Sequence, residues 1–428
     1  MNSFVYLKKI LVVYCMSIFL WNHAYGADDK VQIVFAGTTV AGGHFETIKR
    51  EFSNLISNPV IDGVKLRALV NQKIKKYKLT FDLIDISGLN KKKEYVEIEN
   101  PLSFTVLITR ATLFKDAYRL KIKGTEKEYV KYYFDVGLSA IFFTPAANMD
   151  KIEYSIPVIA EDILLGVSRQ DQIKNQFIKT YERALDILFK RIEKLNPRKV
   201  KAKVVKITDR IAQINAGKKE GVRQGYFIKF KRHGEGQVIK VKKHSAYIKF
   251  IKGELKKNDN VQINILRSEE DETHQVVDVE IISKNAKKLF GKENNFKVLC
   301  AQWFSDYLSN RGGAIVLPPK AGAAYTVDAK KSLISAYDLE GEHFNFEIAG
   351  AKNPIILAIT GLNKKMVTGS SINQIWIYKA WVERNTNGKK REVDEFIKEE
   401  VIVGVKELDD YQVFREVIQQ TLAKLAIN

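Results

Sequence analysis

The feature that most constrains this 428-residue chain is a change of period along it. From Arg198 to Ile265 the apolar residues alternate in short runs without helical spacing, whereas the chain on either side mixes strand-like runs with long helical faces. Val200–Val205, Ile211–Asn215, Tyr226–Phe230, Gln237–Val241 and Ala246–Ile251 read as strands. Glycine-bearing segments divide them, Gly217-Lys-Lys-Glu-Gly221-Val222-Arg-Gln-Gly225 and Gly253-Glu-Leu-Lys-Lys-Asn-Asp259-Asn-Val261. Short strands with turn residues about every 8–12 positions predict a small closed barrel, SH3-like, over residues 198–266. The glycines supply the positive φ that tight turns need.

Two longer blocks flank it. The first, residues 27–197, opens with a strand at Val31–Phe35, a glycine turn from Gly37 to Gly43, and a helix carrying Phe45, Ile48, Phe52, Leu55 and Ile56. Strands are expected at Lys78–Asp85, Ser103–Thr109, Ala117–Lys123 and Lys131–Phe143. The block closes on a helix with Ile173, Phe177, Tyr181, Leu185, Leu188, Ile192 and Leu195 on one face, capped by Ser168 and Asp171 and ended by Asn196-Pro197. An acidic linker, residues 267–275, leads to the last block, residues 276–428. That block predicts a strand at Val276–Ile282, a helix at Phe296–Asn310 stopped by Gly312-Gly313, and a strand from Ala314 ended by Pro318-Pro319. An antiparallel pair, Gln374–Glu383 with Glu392–Val405, is joined near Asn387-Gly388. A last helix carries Val413, Phe414, Val417, Ile418, Leu422 and Leu425 on one face. The fold class expected is α+β, two α/β layered domains with a small all-β barrel between them. The outer blocks share short marks: Asn100-Pro101 and Asn353-Pro354 each precede an apolar strand, and Gly166-Val167 and Gly404-Val405 each precede the closing helix. Two distant copies of one domain, and chance similarity between α/β domains, both fit those marks.

The amino terminus bears on location. Lys8-Lys9, an apolar run from Ile10 to Trp21 and the small-x-small Ala24-Tyr25-Gly26 read as a cleavable signal peptide over residues 1–26, with a retained N-terminal anchor as the rival reading. The apolar run falls short of the roughly 20 residues that span a bilayer. Tyr14 stands where a lipidation motif at Cys15 would need a small residue. Export to the periplasm or an outer-membrane-associated place is therefore expected, with no transmembrane helix after cleavage. Cleavage would remove two lysines and take the net charge from +20 to +18, and would leave Cys300 as the one cysteine. Export without disulfides points to a bacterial envelope. Most of the positive charge is lysine, evenly scattered with no single run standing out beyond Lys73-Ile-Lys-Lys76, Lys91-Lys-Lys93 and Lys240-Val-Lys-Lys243, and reads first as solvated surface. An exported protein would meet anionic lipid, lipopolysaccharide or peptidoglycan rather than nucleic acid.

Motifs for chemistry are missing. His44, His233, His244, His274 and His343 stand apart from one another and from Cys300, so no metal site is legible. No Gly-x-Ser-x-Gly elbow occurs, and the Gly37–Gly43 turn lacks both Walker A and dinucleotide spacing. Cys300 falls on an apolar helix face and reads as a buried thiol. Glu161 and Asp162 are adjacent, which in a strand sends them to opposite faces and in a helix about 100° apart. No catalytic, cofactor-binding or metal-ligating residue is assigned, and no cofactor.

The middle block resembles a module at the end of the flagellar assembly protein T family, through Ile214-Asn-x-Gly217-x-x-x-Gly221-Val222-x-x-Gly225 and Gly253-x-x-x-Lys257-x-Asp259-x-Val261. Tyr154-Ser-Ile-Pro157-Val158 and the helix after it resemble the α/β domain beside that module, similar also to the amino-terminal part of TolB and to the curli-secretion channel family. Leu308-Ser-Asn-Arg-Gly-Gly-Ala-Ile-Val-Leu-Pro-Pro319 looks like the same type again. The chain departs from the curli pattern by lacking a lipidation cysteine and evident membrane-spanning hairpin strands, and from the flagellar pattern by placing an α/β block after the barrel. The resemblance implies a non-enzymatic scaffold or assembly component of the cell envelope, binding envelope proteins and itself as a homo-oligomer. Two alternatives stay open: a periplasmic module that binds an anionic polymer, and an exported enzyme whose site assembles from distant segments.

Overall fold

The computed structural model describes residues 31–40, 63–85, 102–122, 125–144, 151–166, 170–222, 224, 226–230, 234–266, 274–275, 277–290, 294–311, 315–316, 326–327, 344–345, 355–369, 373–386, 389–403 and 410–427. The signal peptide, the helix expected from Phe45, the acidic run 268–273, Gly312-Gly313, Pro318-Pro319 and Asn387-Gly388 lie outside these. What is described is α+β, helices with largely antiparallel sheets.

The first block holds β1 (Gln32–Val40), α1 (Gly63–Lys76), β2 (Asp82–Asp85), β3 (Leu102–Ile122), β4 (Thr125–Thr144), β5 (Lys151–Leu165) and α2 (Gln170–Ile192). They make one sheet in the order β2-β1-β3-β4-β5, with β1 parallel to both neighbours and β3-β4-β5 an antiparallel meander. Two sequence expectations change here, and β5 is a strand that the sequence reading did not place. β1 runs on to Val40 across a bulge after Phe35, so Gly37 belongs to a strand and not to a turn. The two strands expected at Ser103–Thr109 and Ala117–Lys123 are one, because β4 offers a continuous partner and a bulge after Ile108 absorbs the polar interruption. β5 carries Pro157, which argues against a strand by sequence, but β5 is an edge, where a missing N–H is tolerated.

β4 buries residues on both faces, and the two faces differ. Phe134, Val136, Leu138, Ala140 and Phe142 alternate onto the side covered by α2, where Phe104 stacks on Phe142 at 4.9 Å and meets Phe189 edge-on at 6.5 Å. The predicted stripe of α2 is buried there, from Ile173 to Ile192. Asp171 in the first turn and Lys190 and Arg191 in the last suit the helix dipole. Asp186, on the flank of α2, accepts Lys73 Nζ at 2.9 Å, Lys76 Nζ at 3.1 Å and the Tyr77 hydroxyl at 2.8 Å, tying α1 to α2. Burial alone would raise the Asp186 carboxyl, but these donors hold it below its ordinary value.

The middle block holds β6 (Arg198–Thr208), β7 (Ile211–Ile214), β8 (Phe227–Phe230), β9 (Gly234–Val241), β10 (Ala246–Lys252) and β11 (Asn260–Ile265), ordered β11-β6-β7-β10-β9-β8. Its core is separate, built on Val204, Ile214, Ile228, Val238, Ile248 and Ile263. The turn residues that marked it in the sequence do local work. Gly221 sits at φ +87°, and a Cβ on Gly217 would lie 2.3 Å from the Lys242 carbonyl oxygen. Asn215 Oδ1 accepts the Lys203 amide and Asp259 Oδ2 the Lys256 amide.

The last block adds β12 (His274–Gln275), β13 (Val277–Ile281), α3 (Lys284–Phe290), α4 (Asn294–Arg311), β14 (Ile315–Val316), β15 (Thr326–Val327), β16 (Phe344–Asn345), β17 (Ile355–Gly369), β18 (Asn373–Thr386), β19 (Lys389–Val403) and α5 (Asp410–Ile427). The main sheet is β13-β17-β18-β19, with β13 parallel to β17 and the rest a meander; β12 pairs with β14 and β15 with β16. α4 and α5 pack on it through Trp303, Phe304, Tyr378, Phe414 and Val417, while Phe290 of α3 stacks on Phe296 at 3.8 Å. Both outer sheets thus place a strand parallel to the first member of a three-strand meander and end in a helix.

Phe104→Ala would remove the ring shared by Phe35, Phe142 and Phe189. A loss of about 3–5 kcal/mol is expected, read as a fall in the denaturant midpoint at unchanged slope.

Candidate functional site: a buried ionic seam

The second face of β4 is where the first and last blocks meet. Along it run Tyr133, Asp135, Gly137, Ser139 and Ile141, paired in register with Ile163, Glu161, Ile159, Pro157 and Ser155 of β5. α4 and α5 of the last block cover this face, so Asp135, Ser139 and Ser155 are buried and Glu161 is about three-quarters covered. The hydroxyls of Ser139 and Ser155 find no hydrogen-bond partner among the described residues, whereas the charged groups, far costlier to bury alone, are paired.

Arg415 of α5 is the centre. Its Nη2 lies 2.5 Å from Asp135 Oδ1 and 2.5 Å from Glu161 Oε1. Asp135 is also paired with Arg110 of β3 at 3.3 Å, and Gln419, one turn beyond Arg415, donates to Glu161 Oε2 at 2.6 Å. The guanidinium sits 5.5 Å from the Trp303 ring and 5.7 Å from the Tyr133 ring, within cation–π range. Two cations therefore face two carboxylates, and the cluster is neutral. Burial works against the charge of Arg415, but Asp135 and Glu161 outweigh it and hold the group charged. Glu161 is raised above the usual carboxylate value by burial and by Asp135, which the pull of Arg415 does not cancel.

Two further contacts extend the seam. Gln302 of α4 accepts the Thr109 hydroxyl at 2.9 Å and donates to the Val158 carbonyl at 2.8 Å. It fits because Gly137 has no side chain: a Cβ there would lie 3.1 Å from Gln302 Cδ and 2.9 Å from Thr109 Oγ1. At the β5 edge, Arg191 of α2 donates to the Pro157 carbonyl at 3.0 Å and pairs with Asp306 of α4 at 2.9 Å. Asp306 is pushed up to about 6 by burial, against the attraction of Arg191 and the Ile159 amide.

The seam ties elements of the first and last blocks together. Its acids are neutralised by arginine and covered by helices, and burial pushes the Cys300 thiol far above its usual value. His244, on the middle block, is exposed, 4.0 Å from Glu220; His44, His233 and His343 lie outside the described residues. Among the described residues no group of three or more His, Cys, Asp or Glu side chains could hold a metal ion. No described helix is long and apolar enough to cross a membrane.

Of the strand and helix alternatives for Glu161 and Asp162, the structure shows the strand: Glu161 meets α5, while Asp162 faces α2 and accepts Arg183 Nη1 at 2.6 Å. The sequence reading did not find the seam itself. A signal was present in Asp135-x-Gly137-x-Ser139, small or polar residues alternating with an apolar set, and in the i, i+4 pair Arg415 and Gln419 within an apolar stripe.

No protein-family model matches the chain, and no curated protein matches it in sequence. Among solved structures, a homolog of a neuraminyllactose-binding hemagglutinin from Helicobacter pylori aligns with 39% of this chain and 84% of its own, at 12% identity and a TM-score of 0.25. A lipopolysaccharide binding protein aligns with 90% of this chain and 88% of its own, at 7% identity and a TM-score of 0.09. Both scores are too low to carry an argument about fold or function.

Arg415→Met would leave Glu161 buried without its cation and should cost about 3–5 kcal/mol, read by chemical denaturation. Asp306 and Glu161 both hold their protons to higher pH when folded. Their contribution to stability is fully present below the ordinary carboxylate range and is lost as pH rises through about 6 for Asp306. Stability against denaturant should therefore rise as pH falls from 7 toward 5, by about 1 kcal/mol from Asp306. Asp306→Asn should flatten that slope; an unchanged slope would remove Asp306 as its source.

Proposed function

We propose that this protein is a non-enzymatic structural or assembly component of a bacterial cell envelope, acting by binding other envelope proteins and further copies of itself. The observation that carries the reading is the ionic seam, which joins two sheet-and-helix blocks of like connectivity through a buried polar face. Two coupled blocks that place the middle block between them in sequence suit a spacer or docking role. Residues 27–197 and 276–428 are read as two layered α/β domains and distant copies of one unit, a reading the shared strand order supports. Residues 198–266 are read as an SH3-like barrel, supported by the approach of β11 to β8 at the two ends of its sheet. Residues 267–275 are the linker, and residues 1–26 the signal peptide that places the chain in the periplasm or against the outer membrane. A part in a flagellum-associated or other outer-membrane machine follows from the sequence resemblance.

Fractionated envelope, gently solubilised, sized and probed for this protein, tests the reading. Elution in a large assembly, with crosslinks to itself or to an outer-membrane component, is the expected result. A free monomer without crosslinked partners sinks it.

A further inference from the structure

The positive charge of this chain is not evenly spread. Residues 198–266 hold nineteen lysines and arginines against five acids, a surplus of fourteen out of the chain's +20. The six strands there carry nine basic residues and one acid, Glu235. Register sets where part of that charge goes, because directly paired residues of antiparallel strands share a face. One row across β6, β7, β10 and β9 is Thr208, Ile211, Lys249 and Gln237; the next is Lys206, Gln213, Tyr247 and Lys240. The alternate residues, Ile214, Ile248 and Val238 among them, fill the core, so these rows form the outer surface.

That surface also carries aliphatic side chains that a solvated lysine face would lack. Val205, Ile211 and Ile251 are 46%, 36% and 51% exposed, beside the exposed Lys206 and Lys249. Asp209, in the turn between β6 and β7, is the nearest acid in sequence. We infer that this outer face of β6, β7, β10 and β9 docks on a bilayer surface rich in anionic phospholipid, the lysines on the headgroups and Val205, Ile211 and Ile251 in the interfacial layer. Two features favour lipid over nucleic acid. The basic residues are fifteen lysines to four arginines, mobile point charges without the fork that reads phosphate and bases. Three aromatics that could stack on bases, Tyr226, Phe230 and Phe250, are committed to the core, and Lys242 lies 5.5 Å over the ring of the partly exposed Tyr247. This surface goes beyond the scaffold reading and stands without it, since a monomer with no protein partner could still bind a bilayer.

The test is flotation of the full chain with vesicles of phosphatidylcholine alone, and of two parts phosphatidylcholine to one part phosphatidylglycerol. Binding to the anionic vesicles only is expected, and it should weaken as salt rises from about 50 to about 500 mM. Each lysine near such a surface contributes about fivefold to partitioning, so Lys206→Glu with Lys249→Glu should lower it at least tenfold. Ile211→Ser with Ile251→Ser should lower it several-fold at both salt concentrations. All four positions are exposed, and an unchanged melting temperature confirms that each variant is folded. Equal binding to both vesicle types, or full binding by the charge-reversed variant, overturns the inference. So does tighter binding to a single-stranded oligonucleotide than to the anionic vesicles.

Discussion

Asp135 and Glu161 lie opposite each other on adjacent strands, on a face that helices cover. Two carboxylates so placed repel, and the water that reaches the partly exposed Glu161 screens them only weakly. The arrangement exists because Arg415, from a helix 254 residues further along the chain than Glu161, reaches both. That single guanidinium fixes where α5 crosses the first sheet. Through the packing of α5 on α4 it also fixes where Gln302 meets Thr109 and where Asp306 meets Arg191. The polar face of β4 is an acceptable interior only with the last block in place.

A seam of this kind selects more than it stabilises. Desolvating four charged groups offsets much of their mutual attraction, and an apolar contact of the same size would hold as well or better. Charge pairs in a buried layer instead penalise every alternative register, because a slipped helix would leave a charge uncompensated. The contrast with the other face of the same strands is direct. Phe134, Val136, Leu138 and Ala140 accept any well-packed apolar cover, and α2, next in sequence, supplies it. Stability is concentrated on one side of the sheet and specificity on the other, and the raised carboxyls on the specific side tie it to pH.

Much of the local structure was written in the residues. The stripe of α2, the apolar face of α4 and the strands of the middle block follow from period alone, and Gly217, Gly221, Asn215 and Asp259 mark turns that need those residue types. Other features were hidden by rules that tertiary context overrode. Pro157 disguised an edge strand, the polar stretch around Arg110 divided what is one strand, and Gly37 resembled a turn although a bulge keeps it in β1. The seam was half legible. The sequence left strand and helix open for Glu161 and Asp162, and nothing local to Glu161 named Arg415 as its partner.

The sequence by itself determined the α+β class, the identity of most helices, and the concentration of positive charge in the middle block. Those properties depend on neighbours within a few positions, or on composition, and one chain read once contains them. Only the tertiary structure decided that the second face of β4 is an interior, which cation compensates which acid, and that Lys206, Lys249, Ile211 and Ile251 share one outer surface. These are facts of pairing between residues far apart in the chain. Strand register and helix docking set them, and the energies that choose among such pairings are sums over the whole packed molecule.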